Sequence, residues 1–104
     1  MDAGEILHVA TPGEWTEARQ RGTVAPPSLA TEGFVHCSTR EQIPGTLARH
    51  FAGGGDLVLL VLDAAAVGDL RWEALTPGEP FPHVYNAIPL AAVRSAEQVT
   101  APAG

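Results

Sequence analysis

Apolar and polar positions along this chain fall into short blocks, most of them strand-like. The longest apolar run is Leu57-Val58-Leu59-Leu60-Val61-Leu62, bracketed by Asp56 and Asp63. An unbroken aliphatic run between polar ends reads as a central strand covered on both faces. Glu5 to Thr11 alternates weakly and predicts a first strand. Ile6, His8 and Ala10 share one face of it; Leu7, Val9 and Thr11 share the other. Gly33 to Thr39 predicts another, with Val35 and Cys37 toward the core and Phe34, His36 and Ser38 opposite. Leu70 to Leu75 and Val93 to Val99 predict two more. Phe81 to Tyr85 can run extended, with Phe81, His83 and Tyr85 on one face. Its Pro82 lacks an N–H, which favours an edge strand or an irregular segment.

Helical spacing occurs twice. Thr11-Pro12-Gly13-Glu14 carries a capping residue, a proline at the first helical position and the acid of a capping box. The helix it starts turns Trp15 and Ala18 inward and ends near Gly22. Thr39-Arg40-Glu41-Gln42 repeats the box, and Ile43, Leu47 and Phe51 then form one apolar stripe. Pro44 makes that helix start late or bend, and Gly53-Gly54-Gly55 stops it. Thr23 to Thr31, with Pro26-Pro27, predicts a loop, Thr76 to Pro80 a turn, and Thr100 to Gly104 a fraying end. Two helices in the N-terminal half followed mostly by strands predict an α+β fold. Its sheet is expected to be split and mostly antiparallel, in one domain over residues 1–104.

Composition narrows the function. No apolar run approaches the ~20 residues of a membrane span, and no signal-peptide pattern is visible. Cys37 is the lone cysteine, which excludes an internal disulfide and fits a reducing compartment, so a cytoplasmic location is expected. Net charge is -6, from twelve acids and six bases, and no base is a lysine. Schiff-base chemistry and a P-loop lysine are therefore excluded. Without a basic cluster, stable binding along a nucleic-acid backbone is not expected.

Candidate chemistry lies in the histidines. His8, His36 and His83 each sit in or beside an apolar strand, while His50 ends a helix. Imidazoles meeting in one pocket can donate to, or accept from, a polar ligand near neutral pH. A three-histidine zinc site is the competing use. The long, irregular spacing with no His-x-x-x-His pattern speaks against it, so no metal is expected. Glu73 follows Trp72, and a carboxyl beside an indole can have a raised pKa suited to acid–base work. The plain alternative is a core Trp72 with Glu73 outward. Tyr85 either stacks or donates its hydroxyl in the pocket, or closes the core. Strand parity turns Cys37 away from His36, which makes it a poor nucleophile.

Leu7-His8-Val9-Ala10-Thr11, Trp15, Ser28-Leu29, Glu32 to Thr39, Gln42, Asp56 to Leu60, Arg71-Trp72-Glu73 and Phe81 to Tyr85 together resemble the bacterial family called domain of unknown function 952. The match runs in order along nearly the whole chain. That family resembles a minimal ADP-ribosyltransferase-like fold, the superfamily that includes the RNA 2′-phosphotransferases. His8-Val9-Ala10-Thr11 is similar to their His-Gly-Thr motif with one residue inserted. Gly33-Phe34-Val35-His36-Cys37-Ser38 is similar to their Gly-led strand ending His-Val-His-Leu-Ser. In the superfamily such residues hold the nicotinamide and ribose of NAD. The resemblance therefore implies NAD as ligand or co-substrate of a transferase. Taken with the strand histidines, it leads to a pocket in which His8, Thr11, Ser38 and Tyr85 bind, and His36, His83 and Glu73 act as acid, base or electrostatic stabiliser. Ala30-Thr31-Glu32 stands where the phosphotransferases carry arginines, which argues against an RNA 2′-phosphate. His83 and Tyr85 stand near where a late-strand catalytic Glu belongs. Two further readings are a non-catalytic metabolite sensor and a structural partner protein. The sequence does not give the oligomeric state.

Overall fold

A computed structural model describes residues 4–74 and 77–102. The chain runs β1 (Glu5–Ala10), α1 (Pro12–Arg21), β2 (Thr23–Val24), α2 (Pro27–Thr31), β3 (Val35–His36), α3 (Ile43–His50), β4 (Asp56–Asp63), β5 (Leu70–Glu73), β6 (Phe81–Val84), β7 (Ile88–Pro89) and β8 (Val93–Thr100). Among the described residues every strand pairing is antiparallel, in three sheets ordered β1-β4-β8, β2-β7 and β3-β6-β5. The fold is the split, mostly antiparallel α+β arrangement that the sequence predicts.

β4 is the central strand of its sheet. Its two faces feed two cores. Leu60 and Leu62 join Ile6, Ala10, Val35 and Val84 on one side; Leu57, Leu59 and Val61 join Leu7, Val9 and Ile43 on the other. The alternation of β1 assigns its residues to the same two clusters, because successive side chains of a strand point to opposite faces. The first core lies between this sheet, α1 and the β3-β6-β5 sheet. The second is closed by α3, with Leu47 and Phe51 packed against it. At ~1.5–3 kcal/mol for each fully buried aliphatic side chain, these clusters hold the sheets together.

The helix termini follow from local chemistry. Thr11 accepts from the Glu14 N–H, the Glu14 carboxylate accepts from the Thr11 N–H, and Gly22 closes α1 with φ 88°. Thr39 and Gln42 form a second reciprocal pair. α3 starts late, at Ile43, which places Pro44 in the first turn where no N–H is missed.

Five expectations are corrected. Thr23 to Thr31 is not a loop: it holds the two-residue β2 and the short α2, so the N-terminal half has three helices. β7 is likewise an addition. The Gly33 strand shrinks to Val35–His36, and Ser38 makes only an isolated bridge to Leu7. Pro82 is not at an edge, since β6 lies between β3 and β5. The Cys37 N–H donates to the Pro82 carbonyl at 3.0 Å, and the return bond is one a proline cannot make, so the β3–β6 ladder stops there. Trp72 is 51% exposed rather than in the core, because β5 is an outer strand that the core does not cover. The predicted end of its strand at Leu75, and Thr76 of the predicted turn, lie outside the described residues. Among the described residues no helix is long and apolar enough to cross a membrane.

Candidate active-site cleft

The seam between the β1-β4-β8 and β3-β6-β5 sheets opens into a cleft of about 760 Å³. That falls within the range of small-molecule sites. The three strand histidines, far apart in sequence, all line it, and so do Thr11, Ser38 and Glu73. Tyr85 stands behind Glu73 instead of on the wall.

β1 delivers His8, which is buried. Its Nδ1–H donates to the His36 carbonyl at 2.7 Å, because a carbonyl can only accept. Nε2 is then an unprotonated acceptor, and it is buried with no partner among the described residues. Burial lowers the His8 pKa and keeps the ring neutral. His8 also lines a cavity of about 30 Å³ beside α1, room for a water and little more.

Gly33 at φ 92° turns the chain from α2 into β3. Next, Ser28 fixes the Phe34 carbonyl at 2.8 Å. His36 then faces solvent and donates Nε2–H to Glu32 at 3.0 Å, two residues that α2 and β3 bring back together. Ser38 is buried and shares a hydrogen bond with Thr46 of α3 at 2.8 Å.

The opposite wall carries a carboxylate–imidazole pair. β5–β6 register sets Glu73 against Phe81, with His83 two residues on along the same face. The buried His83 donates Nδ1–H to Glu73 Oε1 at 2.8 Å, and the Tyr85 hydroxyl donates to the same oxygen at 2.5 Å. The Tyr85 hydroxyl, then the His83 ring, hold the Glu73 carboxyl below its ordinary value. That is opposite to the rise expected from a neighbouring indole, since Trp72 lies on the other face of β5. The Glu73 carboxylate in turn raises the Tyr85 pKa. His83 Nε2 makes no hydrogen bond within the described residues. Phe34 stacks on His83 with ring centres 4.2 Å apart and also touches His36 and Tyr85. Behind Tyr85, Arg71 lies over its ring at 4.2 Å, clamped by both oxygens of Asp69.

The arrangement can orient a small polar molecule and exchange a proton through His83. Cys37 is buried, and burial pushes its thiol well above the ordinary value, which leaves it inert. Among the described residues no group of His, Cys, Asp and Glu is arranged to hold a metal ion. Sequence reasoning passed over Glu32, Thr46, Arg49 and His50, which also line the cleft. A helix-end Arg-His pair and a Glu four residues before a His were the signals available.

A model of the family described as Protein of unknown function (DUF952) matches residues 9–96. The crystal structure of protein CC0527 from Caulobacter crescentus is 33% identical with a TM-score of 0.83. The alignment covers 90% of this chain and 84% of that one. A double mutant of CC0527 gives the same values. Its solution structure gives a TM-score of 0.76 over 90% of this chain and 83% of the other, again at 33% identity. No curated protein matches.

Proposed function

The chain belongs to the DUF952 family, whose description names no activity, and we propose that its cleft is the active site of a small acid–base enzyme for a nucleotide-like molecule. NAD and ADP-ribose are the first candidates. One observation carries this reading: the Glu73–His83 pair, with Nδ1 held by the carboxylate and Nε2 without a hydrogen bond among the described residues, on the wall of the cleft that His8 also lines. A carboxylate on Nδ1 fixes the tautomer and makes Nε2 the basic nitrogen, the arrangement a general base needs. His83 then takes and returns the proton. Glu73 orients it and offsets the imidazolium that forms, and Tyr85 fixes Glu73.

His8 and Ser38 orient hydroxyl or amide groups of the ligand, Thr11 lines the same end, and His36 stabilises developing charge. Glu32, Glu73 and Glu79 all line the cleft. Carboxylates there favour a transition state that gains positive charge, as a ribose does when nicotinamide leaves it. The likeness of His8 to Thr11 and of Gly33 to Ser38 to the ADP-ribosyltransferase-like motifs points the same way.

The test is turnover. The protein is incubated with NAD and free nicotinamide is followed by chromatography, with calorimetry against NAD, ADP-ribose and nicotinamide alongside. Release that is abolished by His83→Ala and strongly reduced by Glu73→Gln, yet retained by Cys37→Ser, supports the enzyme. Binding heat without product points to a sensor instead. Neither heat nor product at millimolar ligand removes the NAD reading.

A further inference from the structure

We propose that Arg49, with His50 beside it, forms an anion subsite of the cleft that receives a phosphate or carboxylate group of the ligand. The inference rests on the reading of the cleft as a ligand site and names the chemical class of its occupant.

The starting point is charge pairing. With twelve acids for six arginines, a guanidinium in this chain has carboxylates to choose from. Arg21, Arg40, Arg71 and Arg94 take Glu17, Glu5, Asp69 and Asp63. Arg19 and Arg49 have no carboxylate partner among the described residues; Arg19 bonds Thr16 outside the cleft, whereas Arg49 lines the cleft together with Glu73 and Glu79. The Arg49 guanidinium carbon lies 5.8 Å from the centre of the Phe81 ring, near the outer limit of a cation–π contact. Stacking on a ring leaves the N–H edge of the guanidinium available, and that edge matches the paired oxygens of phosphate and carboxylate.

The ordinary reason for an arginine in the last turn of a helix is to cover the terminal carbonyls. This one takes the default direction of a helical side chain, back toward the N-terminus, and does not reach them. A Cβ on Gly45 would stand 3.2 Å from an Arg49 Nη atom, so the guanidinium folds back over the first turn of α3, away from the carbonyl end. Gly45 leaves the space it lies in. His50, which makes no hydrogen bond within the described residues, lines the same cleft.

Position ties the subsite to the chemistry. Phe81 and His83 are successive residues on one face of β6, and so about 7 Å apart along the strand. An oxyanion held by Arg49 over Phe81 puts the next part of the molecule beside His83. The occupant is thus a small molecule carrying a phosphate or carboxylate roughly one strand repeat from the group that His83 acts on.

Inorganic phosphate and acetate are titrated separately into ¹⁵N-labelled protein while the arginine Nε–Hε resonances are followed. The Arg49 resonance is expected to shift saturably with one or both anions. Affinity is expected to fall at least tenfold in Arg49→Gln and to return only in part in Arg49→Lys, which keeps the charge and loses the fork. Arg19, which stacks on Trp15 outside the cleft, is the control, and Arg19→Gln is expected to change nothing. Equal shifts at Arg19 and Arg49, or undiminished affinity in Arg49→Gln, overturn the subsite. His83→Ala separates the two proposals, because it should stop turnover and leave phosphate binding intact. Phosphate bound at Arg49 with no turnover of NAD by the native protein sinks the enzyme and keeps the subsite. Turnover that survives Arg49→Gln with unchanged KM sinks the subsite and keeps the enzyme.

Discussion

His8 Nδ1 lies 2.7 Å from the carbonyl oxygen of His36, and this contact ties the β1-β4-β8 sheet to the β3-β6-β5 sheet. Beside it, Leu7 and Ser38 exchange both of their backbone hydrogen bonds, at 2.8 and 2.7 Å. The cleft is the opening of that seam. His8→Ala removes the tie and leaves a void, and should cost about 2–3 kcal/mol. His8→Asn keeps a donor near the Nδ1 position and should cost less than half as much. Denaturant midpoints of the two variants check the difference.

Acidification should weaken the fold through the same ring. The folded-state pKa of His8 lies below its ordinary 6.5, so the unfolded chain takes up the proton first. The contribution of His8 is complete above that ordinary value and is lost as pH falls toward the folded one. Glu73 adds a second loss below its ordinary 4.5, as its held-down carboxyl is protonated. Denaturant midpoints from about pH 7.5 down to about pH 5 should slope downward in the native protein and flatten in His8→Asn.

The capping box of Thr11 and Glu14, the Gly22 stop and the aliphatic β4 were legible because each is a local pattern with a local cause. Alternation along β1 divided its residues between two faces, but that both faces are buried, in two clusters, was not legible. β2, β7 and α2 were not legible, since two to five residues carry no usable period and their pairing is set by tertiary contact. The place of Pro82 could not be read either: only the ladder shows that its missing N–H falls where β3 ends. Proximity of His8, His36 and His83 could be suspected from their strand positions. The Glu73–His83 bond depends on the register of β5 on β6, and the fold-back of Arg49 depends on Phe81. Neither of those relationships exists along the sequence.

Gly68 lies just before β5, the strand that carries Glu73, and packs against Asn86. It sits at φ 92°, and a Cβ there would lie 2.6 Å from Asn86 Oδ1. Asn86 accepts from the Asp69 N–H and donates to the Val67 and Ala87 carbonyls. Gly68→Ala displaces that side chain and strains the backbone, at about 2–4 kcal/mol. The melting temperature should fall by roughly 10–20 °C. Gly13→Ala, in open space on α1, should instead be neutral or stabilise by up to about 1 kcal/mol.

Tyr85 acts through Glu73, as a positioning residue. Tyr85→Phe removes the hydroxyl that holds the carboxylate, so the Glu73 pKa rises toward its ordinary value. The carboxylate is then less firmly held against His83, so kcat should fall by roughly tenfold at neutral pH with KM little changed, and the loss that comes from protonating Glu73 should begin at higher pH. An unchanged profile would reduce Tyr85 to a packing role.

The most direct measurement follows the imidazoles themselves. With ¹⁵N-labelled histidine, NAD or ADP-ribose is added in steps and the ring nitrogens are recorded. Shifts at His8 Nε2, His36 and His83 Nε2 that saturate together, with one Kd, are the predicted result, with His8 Nδ1 least affected because the His36 carbonyl already holds it. Rings that remain unmoved at millimolar ligand, or that respond with unrelated affinities, would contradict a shared site.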